Sequence, residues 1–429
     1  MINKLTCIDC LKGMKKLPSN NIDTIITDPP YGLKFMGNKW DYKIPSDEHF
    51  KEMLRVAKPG ATLLCFGGTR TFHRIAVNIE DAGWEIVDTL MWLYGSGFPK
   101  AQDISKMIDK KAGVEREVIG IDKTKQRPNA KDNRAKENAV GKFGVLCDGG
   151  VITKPTTDNA KLWNGWKSHA LKPAFEPIIM ARKRNDGTYV NNALTHGVAG
   201  LNIDGSRIGT EGARFNGRKV DSDIYGKYGV LKPKENYHKG RYPANVILDE
   251  EAGRLLDKQS GVLTSGGGDK GRVNFKGFNG ILKDGLKPIR GNIAIKNVGG
   301  TSRFFYCAKA SKSERNKGCE GLKLKQTTGG GGMNNTEDDV CGKYGSIKAK
   351  ANNHHPTVKP LKLMEYLCNL TKTPTGGIVL DPYAGSGSTL IAAKKVGRDF
   401  IGFELNNEYV KIAQARLKSV EPLLKEFLK

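Results

Sequence analysis

One short apolar run, NIDTIIT at 21–27, ends in Asp28, Pro29, Pro30 and Tyr31. Ile22, Ile25 and Ile26 are β-branched and suit a strand buried on both faces of a parallel sheet. Neither proline can donate to a ladder, so the strand must stop at Asp28. Pro30 also holds Pro29 extended, which gives the Pro29 carbonyl a set direction. A carboxylate, a rigid carbonyl and an aromatic face are thus offered together at the carboxyl end of a strand, where open α/β sheets bind ligands.

A second constellation lies far along the chain, GGIVLDPYAGSGSTLIAAKKVGRDFIGFEL at 376–405. It reads as a strand, a glycine-rich turn, a helix and a second strand. Gly385 and Gly387 let the backbone turn tightly and approach a ligand, and Ser388 and Thr389 begin the helix. Glu404 ends the second strand, 17 residues after Gly387, where an acid can accept hydrogen bonds from ribose hydroxyls. The loop departs from the dinucleotide fingerprint: it lacks a third glycine, and Asp381 beside the turn would repel a pyrophosphate. An acid there suits a cofactor with an amino group and a positive charge. S-adenosylmethionine fits, with its adenosine for Glu404 and its α-amino group for Asp381.

The elements that must position these groups alternate between strand and helix at both ends. Residues 1–100 read as LTCIDC strand, LKGMKKL helix, NIDTIIT strand, EHFKEMLRVA helix, ATLLCFGG strand, FHRIAVNIEDAG helix and WEIVDTLMWLY strand. Residues 101–172 are polar and broken, and AFEPIIMARK at 174–183 returns to a strand pattern. From 184 to 350 the chain is rich in Gly, Asn, Lys and Arg, with short apolar islands. Regular structure resumes at 356 and runs through the cofactor loop to the helix NNEYVKIAQARLKSV. The pattern predicts one doubly wound, mostly parallel Rossmann-like α/β sheet formed by 1–100, 174–183 and 351–429, interrupted by basic irregular insertions at 101–172 and 184–350.

Composition supports a polyanionic partner. Of 70 Lys and Arg against 45 Asp and Glu, residues 101–350 hold 46 and 27, so a balance of +19 out of +25 falls in the middle. That stretch also holds 37 of the 52 glycines. A basic, loop-rich block fits nucleic acid. No run of about 18 apolar residues marks a membrane span. The start, MINKLTCIDCLKG, lacks the apolar region of a signal peptide, so a cytoplasmic setting in a bacterial or phage-infected cell is expected. Cys7 and Cys10 form the one close cysteine pair, without a second pair at zinc spacing, and His354 and His355 precede a proline with no carboxylate nearby; no metal is expected.

The chain resembles the DNA amino-methyltransferases, which methylate adenine N6 or cytosine N4. Asp-Pro-Pro-Tyr at 28–31 resembles the family's catalytic motif, Asp-Pro-Tyr-Ala-Gly-Ser-Gly-Ser-Thr at 381–389 its cofactor loop, and NHHPTVKP at 353–360 the segment before that loop. Catalytic motif first and cofactor motif last is the order of the family's β group, which implies a circularly permuted methyltransferase sheet with a target-recognition region in the insertion. LKPAFEPIIMARK, RYPANVILDEEAG and RFFYCAKASKSERN are similar to stretches of phage-type members.

The resemblance implies that Asp28 and the Pro29 carbonyl accept hydrogen bonds from the target amine, that Pro30 fixes the turn, and that Tyr31 stacks on a base flipped from the duplex. It gives Asp381, Gly385 and Gly387 to the methionine end of the cofactor, Thr389 to the same cofactor site and Glu404 to the ribose. Asp9 would meet the adenine end, and Thr357 would join the cofactor site. Double-stranded DNA is the implied partner, with Arg182, Lys183 and Arg184 expected beside the flipping site and Trp166, near Trp163, able to stack on bases. A homodimer and a cognate restriction endonuclease are compatible with the same resemblance.

Alternatives differ in chemistry. A cytosine-5 enzyme needs a cysteine nucleophile, usually after proline, and no cysteine here follows one. A cytosine-N4 enzyme more often carries serine at the position of Asp28, so adenine is favoured and cytosine stays open. Protein-glutamine and RNA-guanine amino-methyltransferases place their cofactor loop before an Asn-Pro-Pro motif, the reverse of this order. A catalytically silent DNA-binding protein on this scaffold would show eroded motifs, whereas Asp28, Tyr31, Asp381 and Glu404 are intact.

Overall fold

A computed structural model of the chain describes residues 2–33, 39–97, 101–122, 150–214, 237–265, 297–308, 313–326 and 350–420. The charged stretch 123–138 and the glycine-rich stretches 266–280 and 327–335 lie outside the described residues. The chain divides into two compact units, Met1–Gly95 with Phe175–Cys319 and Val358–Lys429, and Ser96–Ala174 with Glu320–Thr357.

The first unit is built on nine strands. In chain order these are β1 (Lys4–Cys7), β2 (Ile22–Thr27), β3 (Ala57–Phe66), β4 (Glu85–Leu93), β5 (Phe175–Arg182), β6 (Val246–Asp249), β7 (Tyr306–Ala308), β8 (Ile378–Asp381) and β9 (Asp399–Glu404). They stand side by side as β1-β9-β8-β2-β3-β5-β4-β6-β7. Every adjacent pair is parallel except the two that involve β5, so the sheet is mixed and mostly parallel. From β8 the chain proceeds to β9 on one side, and from β2 to β3 on the other. Connections that leave neighbouring strands in opposite directions open a crevice at their carboxyl ends.

Helices cover both faces. They are α1 (Cys10–Met14), α2 (Asp47–Val56), α3 (Phe72–Asp81), α4 (Tyr189–His196), α5 (Glu250–Ser260), α6 (Leu361–Leu370), α7 (Ser388–Lys395) and α8 (Asn407–Lys418). Successive strand residues point to opposite faces. Ile25, Leu63, Ile179 and Phe403 therefore pack with Phe50 and Met53 of α2 and Ile75 and Ile79 of α3. Ile26, Leu64, Ile178 and Met180 pack on the other side with Leu363 and Leu367 of α6, Leu390 of α7 and Val410 of α8. The near-continuous apolar runs of β2 and β3 follow from this double burial.

β6, α5 and β7 fall within 184–350, the stretch whose composition reads as insertion, yet both strands join the central sheet beyond β4. Their apolar content is confined to VILD and YCA, too short for a periodic signal. In the second unit, helix Ile104–Lys111 packs near helix Asp158–Leu162, and strand Val118–Asp122 pairs antiparallel with Gly150–Thr153. Asp109, fully buried there, accepts hydrogen bonds from Arg116 (3.0 Å), the Thr156 and Thr157 amides (each 3.1 Å) and the Thr157 hydroxyl (2.7 Å). Among the described residues no helix is long and apolar enough to cross a membrane.

Candidate active site

The crevice between β2 and β8 brings the two sequence motifs together. Leu380 pairs with Ile25, so Asp381 and Asp28 leave adjacent strands at the same edge. The Thr27 hydroxyl donates to Asp381 Oδ1 at 3.0 Å and stitches the two strand ends.

After Asp28 the chain turns through Pro29 and Pro30 in trans and then bends at Gly32, whose φ of +69° favours glycine. The turn is held from outside. Asp41, 2% exposed, accepts from the Tyr31 amide (2.7 Å) and the Gly32 amide (3.0 Å) through Oδ1 and from the Leu33 amide (3.2 Å) through Oδ2. Three orphan amides are satisfied by one carboxylate, which sets the loop that carries Tyr31.

Asp28 is bonded by Tyr31 of its own loop and by Lys359 from the segment before α6, with Glu176 of β5 behind Lys359. Its Oδ1 accepts from the Tyr31 hydroxyl at 2.6 Å, and its Oδ2 from Lys359 Nζ at 2.7 Å. Lys359 Nζ also lies 3.1 Å from Glu176 Oε2 and 3.4 Å from the Tyr31 hydroxyl, and it sits over the Phe66 ring at 4.9 Å. Lys359 is 9% exposed, yet its two carboxylate partners push its ammonium well above the ordinary lysine range, because their attraction outweighs the cost of burial. Burial, with Asp28 and Glu176 beside it, raises Tyr31 as well, so its hydroxyl stays protonated and donates. A carboxylate offers about four lone-pair sites, and two on Asp28 are used here, which leaves acceptor capacity for a ligand's N–H groups.

The glycine loop at 381–389 follows β8 directly. Gly385 (φ +50°) and Gly387 (φ +78°) take left-handed conformations, and a Cβ on Gly387 would stand 2.8 Å from Ala413 Cβ of α8. Glu404 reaches back from β9: Oε2 accepts from the Gly385 amide (2.9 Å) and Oε1 from the Asn406 amide (2.7 Å). From behind, the buried Arg416 of α8 donates through Nη1 to the Ser386 carbonyl (2.6 Å), the Ser386 hydroxyl (3.0 Å) and the Ser388 hydroxyl (3.2 Å). Burial pushes the Asp381 carboxyl up to about 7, against hydrogen bonds from Thr389, the Tyr383 amide and Thr27. Glu404 is raised too, chiefly by burial. Two desolvated acids flanking a glycine turn suit a ligand with a positive charge and hydroxyl donors better than a phosphate. Asp9 caps α1 by accepting from the Lys12 amide at 3.1 Å, and β1 lies beside β9, which puts Asp9 at the same edge as Glu404.

The basic cluster at 182–184 requires a correction. Because β5 is antiparallel, it begins at the site edge with Glu176 and ends at the opposite edge, where Arg182 pairs with Thr62. Arg182 and Arg184 bind Glu85 at 2.9 and 3.1 Å. Lys183 Nζ donates to Asn20 Oδ1 (2.7 Å) and to the Leu54 and Ala57 carbonyls (2.9 and 2.8 Å), closing the end of α2. We expect Lys183→Met to lower stability by about 1–3 kcal/mol, from stranded carbonyls, and to leave the salt dependence of DNA binding unchanged. Thermal melts and salt-titrated DNA binding check this; a flatter salt slope would return Lys183 to the interface.

In the second unit Trp166 is 62% and Trp163 41% exposed, their rings edge to face at 5.7 Å. Thr357 lies exposed at the last position of that unit, its amide 3.3 Å from His355 Nδ1. Cys7 and Cys10 are free thiols, and burial raises Cys10 to about 11. Among the described residues no group of three His, Cys, Asp or Glu could hold a metal ion.

A carboxylate beside an aromatic ring, one strand away from an acid-lined glycine loop, is what the crevice offers a ligand. The chain belongs to the N6/N4 family of DNA methylases, whose model matches residues 22–415. It is similar to the type II methyltransferase M.HindIII of Haemophilus influenzae, at 22% identity over 97% of this chain and 96% of that one. A shorter likeness, 48% identity over 65 residues, links 15% of this chain to 24% of the type II methyltransferase M2.DpnII of Streptococcus pneumoniae. Among solved structures, the cytosine-N4-specific PvuII DNA methyltransferase aligns over 96% of this chain and 85% of that one, with 12% identity and a TM-score of 0.41.

Proposed function

We propose that this DNA methyltransferase acts on the N6 amino group of adenine, flipped from the duplex into the crevice between β2 and β8. The observation that carries the reading is the adjacency of Asp28 and Asp381, joined through Thr27. On this reading an amine acceptor stands next to the loop that would take the methyl donor, S-adenosylmethionine. When bound, that cofactor supplies a methyl group on a sulfonium, whose carbon–sulfur bond breaks with its electron pair left on sulfur.

The chain's own groups do the rest. An aromatic amine is a poor nucleophile because its lone pair is delocalised into the ring. Asp28 and the Pro29 carbonyl, accepting its two N–H bonds, favour the pyramidal form whose lone pair is free to attack, and Asp28 is the nearest acceptor for the proton the amine then loses. Tyr31 stacks on the base. Asp381, with Gly385, Gly387 and Thr389, would hold the methionine end of the cofactor, Glu404 the ribose and Asp9 the adenine end. The motif order is that of a circularly permuted methyltransferase sheet, and the basic middle of the chain, with Trp166 exposed in the second unit, would grip the DNA.

Adenine is favoured over cytosine by the acid at position 28, which resembles adenine-type enzymes. Nucleoside digestion and mass spectrometry of modified DNA should show N6-methyladenine. Recovery of N4-methylcytosine alone would reverse the assignment.

A further inference from the structure

Lys359 falls in the segment NHHPTVKP and Glu176 in the strand FEPIIMAR, far from Asp28 along the chain. The fold brings both to Asp28. Lys359 is set by the residue that follows it: Pro360 caps α6 and holds the preceding backbone extended, which delivers the lysine side chain to the sheet edge rather than into the helix. Glu176 is set by the direction of β5, whose first residues lie at the same edge as the last residues of β3 and β4. The side chains of Lys359, Asp28 and Glu176 are only 10%, 19% and 25% exposed.

Burying an ammonium is costly unless it is paired, and the cheaper design for stability alone is an apolar side chain of the same volume. Here one ammonium bridges two carboxylates, so the cluster carries one net negative charge beside the site where the amine becomes positive. The ammonium takes one oxygen of Asp28, the Tyr31 hydroxyl the other, and the plane of the carboxylate is set from both sides.

We propose that Lys359 and Glu176 form a positioning pair for methyl transfer: Lys359 holds the Asp28 carboxylate oriented toward the target amine, and Glu176 offsets and orients the ammonium so that the cluster stays net negative. This rests on the reading of Asp28 as the amine acceptor. Neither residue needs to touch the base.

The charged and titratable groups that face Asp28 are Lys359, Glu176, Tyr31, Cys65 and Asp381, with Tyr94 facing Glu176 and Lys359. Lys359→Gln removes the ammonium that fixes one Asp28 oxygen, and Glu176→Gln removes the carboxylate that offsets and orients that ammonium. The test is kcat for methyl transfer to DNA at saturating cofactor, set beside KM for the cofactor. Lys359→Gln should lower kcat by about ten- to a hundredfold, with KM for the cofactor unchanged. Lys359→Arg, which keeps a donor cation beside Asp28, should restore most of kcat. Glu176→Gln, which keeps size and shape, should also lower kcat with cofactor KM unchanged.

An unchanged kcat in Lys359→Gln, a Lys359→Arg no more active than Lys359→Gln, or losses that follow a rise in cofactor KM, would overturn the proposal and leave the pair a structural device. Asp28→Asn, measured alongside, separates this from the wider reading: an inactive Asp28→Asn with an unaffected Lys359→Gln refutes the pair alone, whereas an active Asp28→Asn refutes the acceptor role on which the pair depends. Should Lys359→Gln fail to fold, Glu176→Gln and Lys359→Arg still test the pair through kcat at unchanged cofactor KM.

Discussion

Replacing Asp28 with asparagine is expected to slow methyl transfer by about 10²–10⁴-fold while leaving cofactor affinity essentially unchanged. The substitution keeps the size of the side chain and an oxygen for Lys359, now 2.7 Å away, so the strand end has reason to hold. What changes is the other atom. An NH₂ group faces the N–H bonds of the incoming amine, donor against donor, and the acceptor of the departing proton is lost. The cofactor loop is one strand removed and is joined to this strand end through Thr27 rather than Asp28. Transfer of a labelled methyl group to DNA, set beside calorimetric titration with S-adenosylmethionine, decides the matter. Binding that falls in step with turnover would move Asp28 to the cofactor site.

The second large effect belongs to Glu404. Removal of its carboxylate in Glu404→Ala should weaken cofactor binding by about 1.5–3 kcal/mol, roughly ten- to 150-fold, through lost hydrogen bonds to a charged acceptor. Two losses combine: the ribose loses its acceptor, and the Gly385 amide loses the oxygen 2.9 Å away that holds the turn. A pH series adds a check on the neighbouring acid. Asp381 is raised to about 7, and only its ionised form attracts an ammonium, so affinity should fall as pH drops through about 7. That fall should persist in Glu404→Ala if Asp381 holds the amino group. An unchanged dissociation constant in Glu404→Ala would sink the ribose assignment.

The parts of this site that could be read from the chain are those written in consecutive residues. Asp28 to Tyr31 and Asp381 to Thr389 are turns whose prolines and glycines state their own geometry, and the strands that carry them are apolar enough to stand out. Lys359, Glu176, Asp41 and Arg416 are different in kind. Each acts on a group far along the chain, and its own neighbours in sequence hold no trace of that partner. Direction is equally silent: FEPIIMAR has the same pattern whether it runs with or against its neighbours, and the basic residues at its end fall beside the flipping site only if the strand runs parallel. In the sheet they stand at the far edge, and the acid at the strand's start takes the place beside Asp28. VILD and YCA escaped because strands of four and three residues carry too little period to rise above an irregular, glycine-rich background.

The pairing of β2 with β8 also sets when activity can arise during synthesis. Thr24 stands against Val379, and Leu5 against Gly402, so the earliest strands find their neighbours among the latest. A nascent chain that has not yet released 378–404 has an open strand edge on one side of Asp28 and no loop to face it. The site edge is thus completed from the two ends of the chain, and a product halted short of β8 would hold Asp28 without Asp381 or Glu404 beside it.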